Sequence, residues 1–518
     1  MAQAKAAQRH TASSSHPADQ LVVPWSTVDP RHDKARVTAI SENPLAPDRY
    51  DSVLAGAAFA RWRRQWKTAR KRLLWIKGDP GSGKTTQVCS IIDELQRNDA
   101  GVAIPYFFCD GSDVRRNTAH AILRGLIYLL VQQLPALTKY TAGQKCRRDR
   151  TQSTWAALVG IFSFILQDAV TKFRRVCFVV DGLDECEEGL PELLELVAQT
   201  SASSHVKWIV SSCDPAAVVV EGKAITLCLK SGPDALVTAH IVQRTAYLRR
   251  CDVETENAIR DALMDSSPLL RTALLCRGLA DIPECDVVAY MRACPAHVDA
   301  LYAHMMLKLD DACRRLLAVF AVARRPLALQ ELAIFLGSPS GMSADELTET
   351  LRRCSAFLTV HGDTVYFSHA SAKTFLGTLK SSSDVFAACV DEANLEVFSK
   401  SLEAISRTLR RDIYNLRRPG ITTDNIQTPD PNPLAAVRYS CVHWVDHLLD
   451  VHSSLDEAGN AAGAFLRGWY LYWLEALGLL GHVSEGVRAM ERLADLVVSF
   501  PWVDNIIIVA GLGNAHRY

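Results

Sequence analysis

Residues Leu73–Thr86 read LLWIKGDPGSGKTT, and no other stretch restricts the chain as strongly. The apolar run Leu73-Leu74-Trp75-Ile76 has the length and composition of a buried strand. After it, Gly78-Asp79-Pro80-Gly81-Ser82-Gly83-Lys84-Thr85 fits the pattern G-x-x-x-x-G-K-[ST]. Glycines let the backbone curl until successive N–H groups point into one concavity, and without Cβ atoms a phosphate chain approaches closely. Lys84 brings a point charge for β- and γ-phosphates, and the Thr85 hydroxyl suits Mg²⁺. Val88, Ile91, Ile92 and Leu95 then share one helical stripe, with Asp93, Glu94, Gln96 and Arg97 away from it. That helix aims the positive end of its dipole at the loop. The candidate nucleotide-binding set is therefore Gly78, Asp79, Pro80, Gly81, Ser82, Gly83, Lys84, Thr85 and Thr86.

Further strands are expected at Val102–Phe108, Arg175–Val180, Val206–Ser211 and Ala224–Leu229, with amphipathic helices over Thr118–Leu134 and Trp155–Phe173. Strands alternating with helices predict a parallel sheet covered on both faces, with ligand beyond the carboxyl ends of the strands. Arg175–Val180 ends in Asp181-Gly182-Leu183-Asp184-Glu185-Cys186. Asp181 is placed to hold Mg²⁺, partly through water. Asp184 or Glu185, one turn on, is placed to orient an attacking water. The competing reading is that these two acids cap the helix containing Leu190–Leu196.

The chain has 518 residues, too many for one core. Basic and acidic residues number 57 each, so bulk charge gives no argument for nucleic acid or an acidic membrane surface. A helix over Val53–Arg72 mixes Trp62 and Trp66 with arginines and lysines, a composition that suits nucleic acid or, equally, a solvated face whose tryptophans pack on the sheet. The 15 cysteines are scattered, with no paired C-x-x-C, which argues against structural zinc and for a reducing, cytoplasmic setting. The polar N-terminus does not read as a signal peptide, and no run reaches the ~18 apolar residues of a membrane span.

Residues 1–24 read as a disordered tail and 25–50 as a proline-punctuated linker. Past the sheet, helices are expected at Pro233–Arg249 and Glu254–Met264. Asp310–Ala323, Leu329–Leu336 and Ala344–Arg353 then lead into Phe357–Val360 and Thr364–Phe367 around His361-Gly362-Asp363. Three helices and a two-stranded wing fit a winged helix. Long helices follow from Phe386, and no repeat of 20 to 50 residues is visible.

G-D-P-G-S-G-K-T-T paired with F-V-V-D-G-L-D-E-C resembles the NACHT class of STAND NTPases, within the P-loop NTPases. Asp29-Pro30, Arg61-Trp62-Arg63, Tyr106–Cys109, Arg124–Leu130, Val206–Ser212 and Pro433–Cys441 are similar to segments of fungal NACHT proteins, the NOD-like heterokaryon-incompatibility receptors. The resemblance spans about residues 28–495 and implies an α/β P-loop NTPase domain at 51–230, a helical domain at 231–309, a winged helix at 310–380 and a further helical segment at 381–499. An atypical tail occupies 500–518. In such proteins ADP holds the parts closed, and exchange for ATP permits opening and oligomerisation with the protein itself or with longer relatives. A winged-helix histidine, matched here by His369, contacts the β-phosphate in the closed form. ATP or ADP with Mg²⁺ are the implied cofactors.

Two departures stand out. The family usually has S-S-R after the fourth strand, where this chain has Ser211-Ser212-Cys213, so nucleotide binding is better supported than hydrolysis. Arg271 stands in Pro268–Leu274, where the family carries an aromatic in an F-L-W-V-A-L-like segment, which suggests relaxed constraint or repacking. The chain is read as the core without the effector domain or WD40 repeats that relatives carry. Two other readings stay open: a degenerate scaffold acting by protein contacts, and a winged-helix DNA-acting ATPase.

Overall fold

The computed structural model describes residues 28–41, 56–64, 66, 71–142, 155–213, 224–229, 253, 257, 269–279, 286–336, 344–382, 384–417, 421, 426–451 and 455–497. The expected tails at 1–24 and 500–518 and the expected helices at 233–249 and 254–264 lie outside these, apart from isolated positions. The chain divides into two units, residues 1–298 and 299–518.

The first unit carries α1 (Pro30–Ser41), α2 (Ala57–Arg64), β1 (Leu73–Lys77), α3 (Lys84–Asn98), β2 (Val102–Ala103), β3 (Tyr106–Phe108), α4 (Ala119–Gln133), α5 (Trp155–Gln167), β4 (Arg175–Asp181), α6 (Leu190–Thr200), β5 (Val206–Ser212), β6 (Ala224–Cys228), α7 (Leu269–Leu279) and α8 (Val287–Ala293). The strands form one sheet in the order β2-β4-β5-β1-β6, with β3 also on β4, and every pairing is parallel. Val176–Val180 has no polar alternation because both faces of β4 are covered; each of its five side chains is at most 1% exposed. Val88, Ile91, Ile92 and Leu95 of α3 are buried as their spacing predicts, while Gln96 and Arg97 face water. Thr118 caps α4 by accepting from the Ala121 N–H. The α/β P-loop architecture expected from the sequence is the one present.

Several local expectations need correction. The single strand expected over Val102–Phe108 is two short strands, because Pro105 has no N–H for the ladder. The backbone of Ile104 turns instead to Gln133, donating to Oε1 at 2.6 Å and accepting from Nε2 at 3.0 Å. The linker expected at 25–50 contains α1, whose Asp33 is buried against the Arg116 guanidinium and thereby ties α1 into the first unit. The Trp62–Arg72 segment does not present its aromatics. Trp62 and Trp66 are buried, and Lys207 of β5 lies 4.6 and 4.5 Å from their rings. Lys207 also donates to the Trp62 carbonyl, and burial pulls its ammonium down to about 8. Arg63 pairs with Glu94 and Asp99. The segment's tryptophans and Arg63 are thus spent on internal packing, which removes that argument for nucleic acid.

The second unit carries α9 (Val298–Leu307), α10 (Asp311–Val322), β7 (Leu327–Ala328), α11 (Leu329–Leu336), α12 (Ala344–Arg353), β8 (Leu358–His361), β9 (Thr364–Phe367), α13 (Ala370–Ser382), α14 (Asp384–Thr408), α15 (Arg438–Leu449), α16 (Leu455–Leu480) and α17 (Val483–Val497). The three helices and the antiparallel β8–β9 hairpin form in the expected order, and β7 adds a third strand on β9. Gly362 at φ +63° makes the hairpin turn. Residues 299–309, expected with the helical domain, group with this unit instead. The Tyr302 ring packs 5.2 Å from Phe357 and 5.3 Å from Phe375, and its hydroxyl is 3.2 Å from Ser371 Oγ. On α12, Arg352 pairs with Glu349 and Arg353 with Asp310, a poor surface for phosphates.

A buried polar network joins α11 to the helices after residue 384. Glu331 Oε1 accepts from the Tyr439 N–H at 3.0 Å, and Oε2 accepts from the Ala328 N–H at 2.9 Å. Arg325 grips both carboxylate oxygens at 2.7 and 2.9 Å. Tyr439 Oη accepts from the Arg324 N–H and meets His447 Nε2 at 2.8 Å, while His447 Nδ1 is 3.0 Å from Asn394 Oδ1. The amide oxygen only accepts, so the His447 proton sits on Nδ1 and the tyrosine donates to Nε2. Burial pulls this imidazole down to about 3. Its unfolded pKa is near 6.5, so between the two values the unfolded chain binds the extra proton. The stability is complete above pH 6.5 and is lost as pH falls toward 3. We expect a loss on the order of 3 kcal/mol from this residue between pH 7 and pH 4. Denaturant melts of His447→Gln should show a correspondingly shallower acid dependence; an unchanged one would contradict the assignment.

Candidate functional site

The sheet order brings the site together. β5 lies between β1, which feeds the glycine loop, and β4, which ends at Asp181. Ile76 is level with Ser211, and Val180 is level with Val210, so Ser211 stands beside the acid. Its hydroxyl donates to Asp181 Oδ1 and accepts from the Gly182 N–H at 2.9 Å. Asp181 is 3% exposed. Burial pushes its carboxyl up, and hydrogen bonds from Ser211 and Thr85 and the charge of Lys84 pull it back. Thr85 and Asp181, separated by almost a hundred positions, are thereby brought into hydrogen-bond contact.

In the loop, Gly81 and Gly83 hold φ at +77° and +87°, where a side chain would be strained. Gly83 also opens α3 with no side-chain cap, so the first turn's N–H groups face the loop's concavity. Ser82 is buried, and its hydroxyl has no hydrogen-bond partner, an orphaned donor inside the cradle. Lys84 Nζ donates to the carbonyls of Gly78 at 2.7 Å and Asp79 at 3.0 Å, and to Cys213 Sγ at 3.0 Å. The lysine is thus folded back onto its own loop, on acceptors that phosphate oxygens would replace. Gly78, Asp79, Pro80 and Thr86 complete the same stretch. Leu270 of α7 seats directly over Gly81: a Cβ at that glycine would lie 2.5 Å from the Leu270 Cβ. Arg271 beside it is buried and has a partner, donating to the Pro295 carbonyl at 3.0 Å.

The acids after Asp181 do not cap a helix. Leu183–Glu185 is a single 3₁₀ turn, and α6 starts later, at Leu190, with Gly189 as its cap. Asp184 is exposed and accepts from the Cys213 N–H at 2.9 Å. Glu185 is half-buried and accepts from the Gly111 N–H at 3.0 Å through Oε2. Burial, with the charges of Asp110, Asp184 and Asp181 adding to it, pushes the Glu185 carboxyl up to about 8. Cys213 joins both halves of the site. Its thiol faces Lys84 and its N–H holds Asp184, and burial pushes the thiol up to about 11, so it is neutral at physiological pH. His369 stands at the start of α13, where Nδ1 accepts from the Ser371 N–H at 3.1 Å. That bond leaves the proton of the neutral ring on Nε2.

Sequence reasoning gave no role to Ser211, Gly111 or Leu270. Ser211 carried a faint signal, the first polar residue after the apolar run Trp208–Val210. Its meaning depends on strand order, which the sequence does not state.

A family model described as Nephrocystin 3, N-terminal, matches residues 49–213. The vegetative incompatibility protein HET-E-1 of Podospora anserina is 39% identical over 526 residues, covering 92% of this chain and 38% of that protein. The chain spans well under half the length of this relative. Among solved structures, a STAND protein with a tetratricopeptide repeat sensor from Pyrococcus horikoshii aligns with 86% of this chain and 66% of its own, at 10% identity and a TM-score of 0.38. Cdc6p from Pyrobaculum aerophilum aligns with 68% of this chain and 98% of its own, at 12% identity and a TM-score of 0.30. The 39% identity to HET-E-1 over 92% of this chain, together with the family match over the sheet domain, supports a fungal NACHT-type STAND protein.

Proposed function

We propose that this chain is the nucleotide-operated core of a STAND switch of the incompatibility type, holding ADP or ATP with Mg²⁺ between the glycine loop and Asp181. The observation that carries this reading is the meeting of Lys84, Thr85 and Asp181 beyond the carboxyl ends of parallel strands, around a cradle with an orphaned serine hydroxyl. Mg²⁺ supplies charge neutralisation at the phosphates when bound. Thr85 would hold it directly and Asp181 through water. In such sites Mg²⁺ usually keeps waters and takes phosphate oxygens beside one or two protein ligands. Lys84 would exchange its loop carbonyls for phosphate oxygens. His369, whose Nδ1 is taken by the Ser371 N–H, is proposed as the family's β-phosphate histidine, with Nε2 as its donor. Opening would expose surfaces for assembly with further copies or longer relatives. Among the described residues no helix is long and apolar enough to cross a membrane.

Binding without efficient turnover has its own support. A neutral thiol stands beside Lys84 where relatives place a guanidinium, so no second cation is set against the γ-phosphate there. Purifying the protein, denaturing it and identifying the released nucleotide tests the switch directly. ADP in near-equal amount supports it; none released and no heat on titration with ADP or ATP would leave the scaffold reading.

Turnover, where it occurs, should rise with pH. Glu185 orients water only as a carboxylate, and its raised pKa keeps it largely protonated below about 8. Single-turnover hydrolysis is therefore expected to increase from pH 6.5 to 9 in the wild type and to stay low and flat in Glu185→Gln. A wild-type profile already level at pH 6.5 would remove Glu185 from that role.

A further inference from the structure

We propose that Arg116 is a positioning residue for Glu185, and that Asp33 of α1 anchors it, so that the helix preceding the P-loop sheet is wired to the acid turn. This rests on the role given to Glu185 above. The link is continuous. Residues 109–118, between β3 and α4, run alongside the acid turn: the Cys109 N–H donates to the Asp181 carbonyl at 3.0 Å and the Glu187 N–H to the Asn117 carbonyl at 2.7 Å. Midway, Gly111 supplies the N–H that holds Glu185. Either side of Gly111, the loop is shaped by its own acids. Asp110 Oδ1 accepts from the Ser112 N–H and hydroxyl, and Asp113 Oδ1 accepts from the Arg115 N–H at 3.0 Å.

Both acids share the Arg116 guanidinium, and Asp113 is held as well by Arg115 at 2.6 and 2.8 Å. Arg116 Nη2 donates to Asp110 Oδ2 at 3.0 Å and Nε to Asp113 Oδ2 at 3.1 Å, while Nη1 reaches Asp33 Oδ1 at 2.5 Å. The Arg116 side chain is 2% exposed and Asp113 is fully buried, so these contacts act with little screening. Arg36 of α1 adds weaker contacts, 3.6 Å from Asp110 and 3.9 Å from Asp33. Buried ion clusters of this kind are costly to desolvate and contribute little net stability. Their usual justification is geometric specificity, and here the geometry specified is that of the Gly111 N–H.

The electrostatic consequence is definite. The charged and titratable groups facing Glu185 are Asp110 from the 109–118 loop, Asp181 from the end of β4, Asp184 from its own turn and the Cys109 thiol. Arg116 offsets the Asp110 charge, and Asp33 in turn draws on Arg116. Removing the Arg116 charge should make Glu185 harder to ionise. Removing the Asp33 charge leaves Arg116 more fully committed to Asp110 and should make Glu185 easier to ionise.

The test uses the full chain labelled with ¹³Cδ-glutamate, the Glu185 resonance being assigned by its loss in Glu185→Gln. Titration should place the Glu185 midpoint higher in Arg116→Gln and lower in Asp33→Asn, each by about half a unit or more. Arg116→Lys should return the midpoint toward the wild type, and single-turnover hydrolysis at pH 7 should fall about tenfold in Arg116→Gln with ADP affinity unchanged. Shifts in the same direction, or none in either folded variant, overturn the proposal. Should Arg116→Gln not fold, Asp33→Asn decides alone: a downward shift supports the link and an unmoved midpoint refutes it. ADP binding by the wild type is measured first. Absence of heat there removes the nucleotide reading and this inference with it, whereas heat with unmoved midpoints removes only the inference.

Discussion

Lys84→Ala is expected to weaken ADP and ATP binding by about 100-fold or more, the largest effect of any single substitution at the site. The lysine's ammonium already sits on two loop carbonyls and a thiol that phosphate oxygens would displace. Charge-assisted hydrogen bonds to phosphate are worth about 1.5–3 kcal/mol each, and an ammonium offers up to three. Backbone N–H groups of the loop and the dipole of α3 remain in the variant, so some affinity should persist. The fold should persist too, because Lys84 is partly exposed and its present partners are reachable by water. Calorimetric titration gives the affinity, and thermal melts give an independent check. Nucleotide at about 100 times Kd stabilises the wild type by ~2.7 kcal/mol, a shift that Lys84→Ala should lose at the same concentration. Wild-type-like affinity in the variant would mean that nucleotide, if bound at all, does not sit in this loop.

Glu331→Ala is expected to destabilise the second unit by about 3–5 kcal/mol. The carboxylate is 2% exposed and takes part in four hydrogen bonds: two from Arg325, one from the Ala328 N–H and one from the Tyr439 N–H. Truncation leaves a largely buried guanidinium without its counter-charge, and the buried Tyr439 and part-buried Ala328 N–H groups without acceptors. Glu331→Gln keeps the shape and part of the hydrogen bonding, and should fall between the wild type and the alanine variant. Denaturant unfolding read on these variants discriminates clearly. A loss under about 1 kcal/mol for Glu331→Ala would show that water or neighbouring groups replace the carboxylate, and that the contact between α11 and α15 is not held by this acid. The effect should be confined to the second unit, so ADP binding at the glycine loop measured below the transition should be unchanged.

The sequence by itself determined the phosphate loop, the acid at the end of β4, the parallel α/β class and the order of helices and hairpin in the second unit. Each rests on short-range pattern: glycine spacing, apolar runs, and a 3.6-residue stripe such as Val88, Ile91, Ile92 and Leu95. Local chemistry even limited its own errors, since Pro105 splits the strand expected over Val102–Phe108 through a missing N–H that is visible in the sequence. Only the tertiary structure decided what crosses the chain. It set Ser211 against Asp181, turned Lys84 onto Cys213, laid Leu270 on Gly81, and buried Trp62 and Trp66 against Lys207. It also drew α1 out of an expected linker through Asp33 and Arg116, which lie 83 positions apart. Periodicity reports which face of an element is apolar, but not which element will cover it. Ion pairs and strand neighbours are chosen by the sheet order, and that order is a property of the packed core rather than of any one segment.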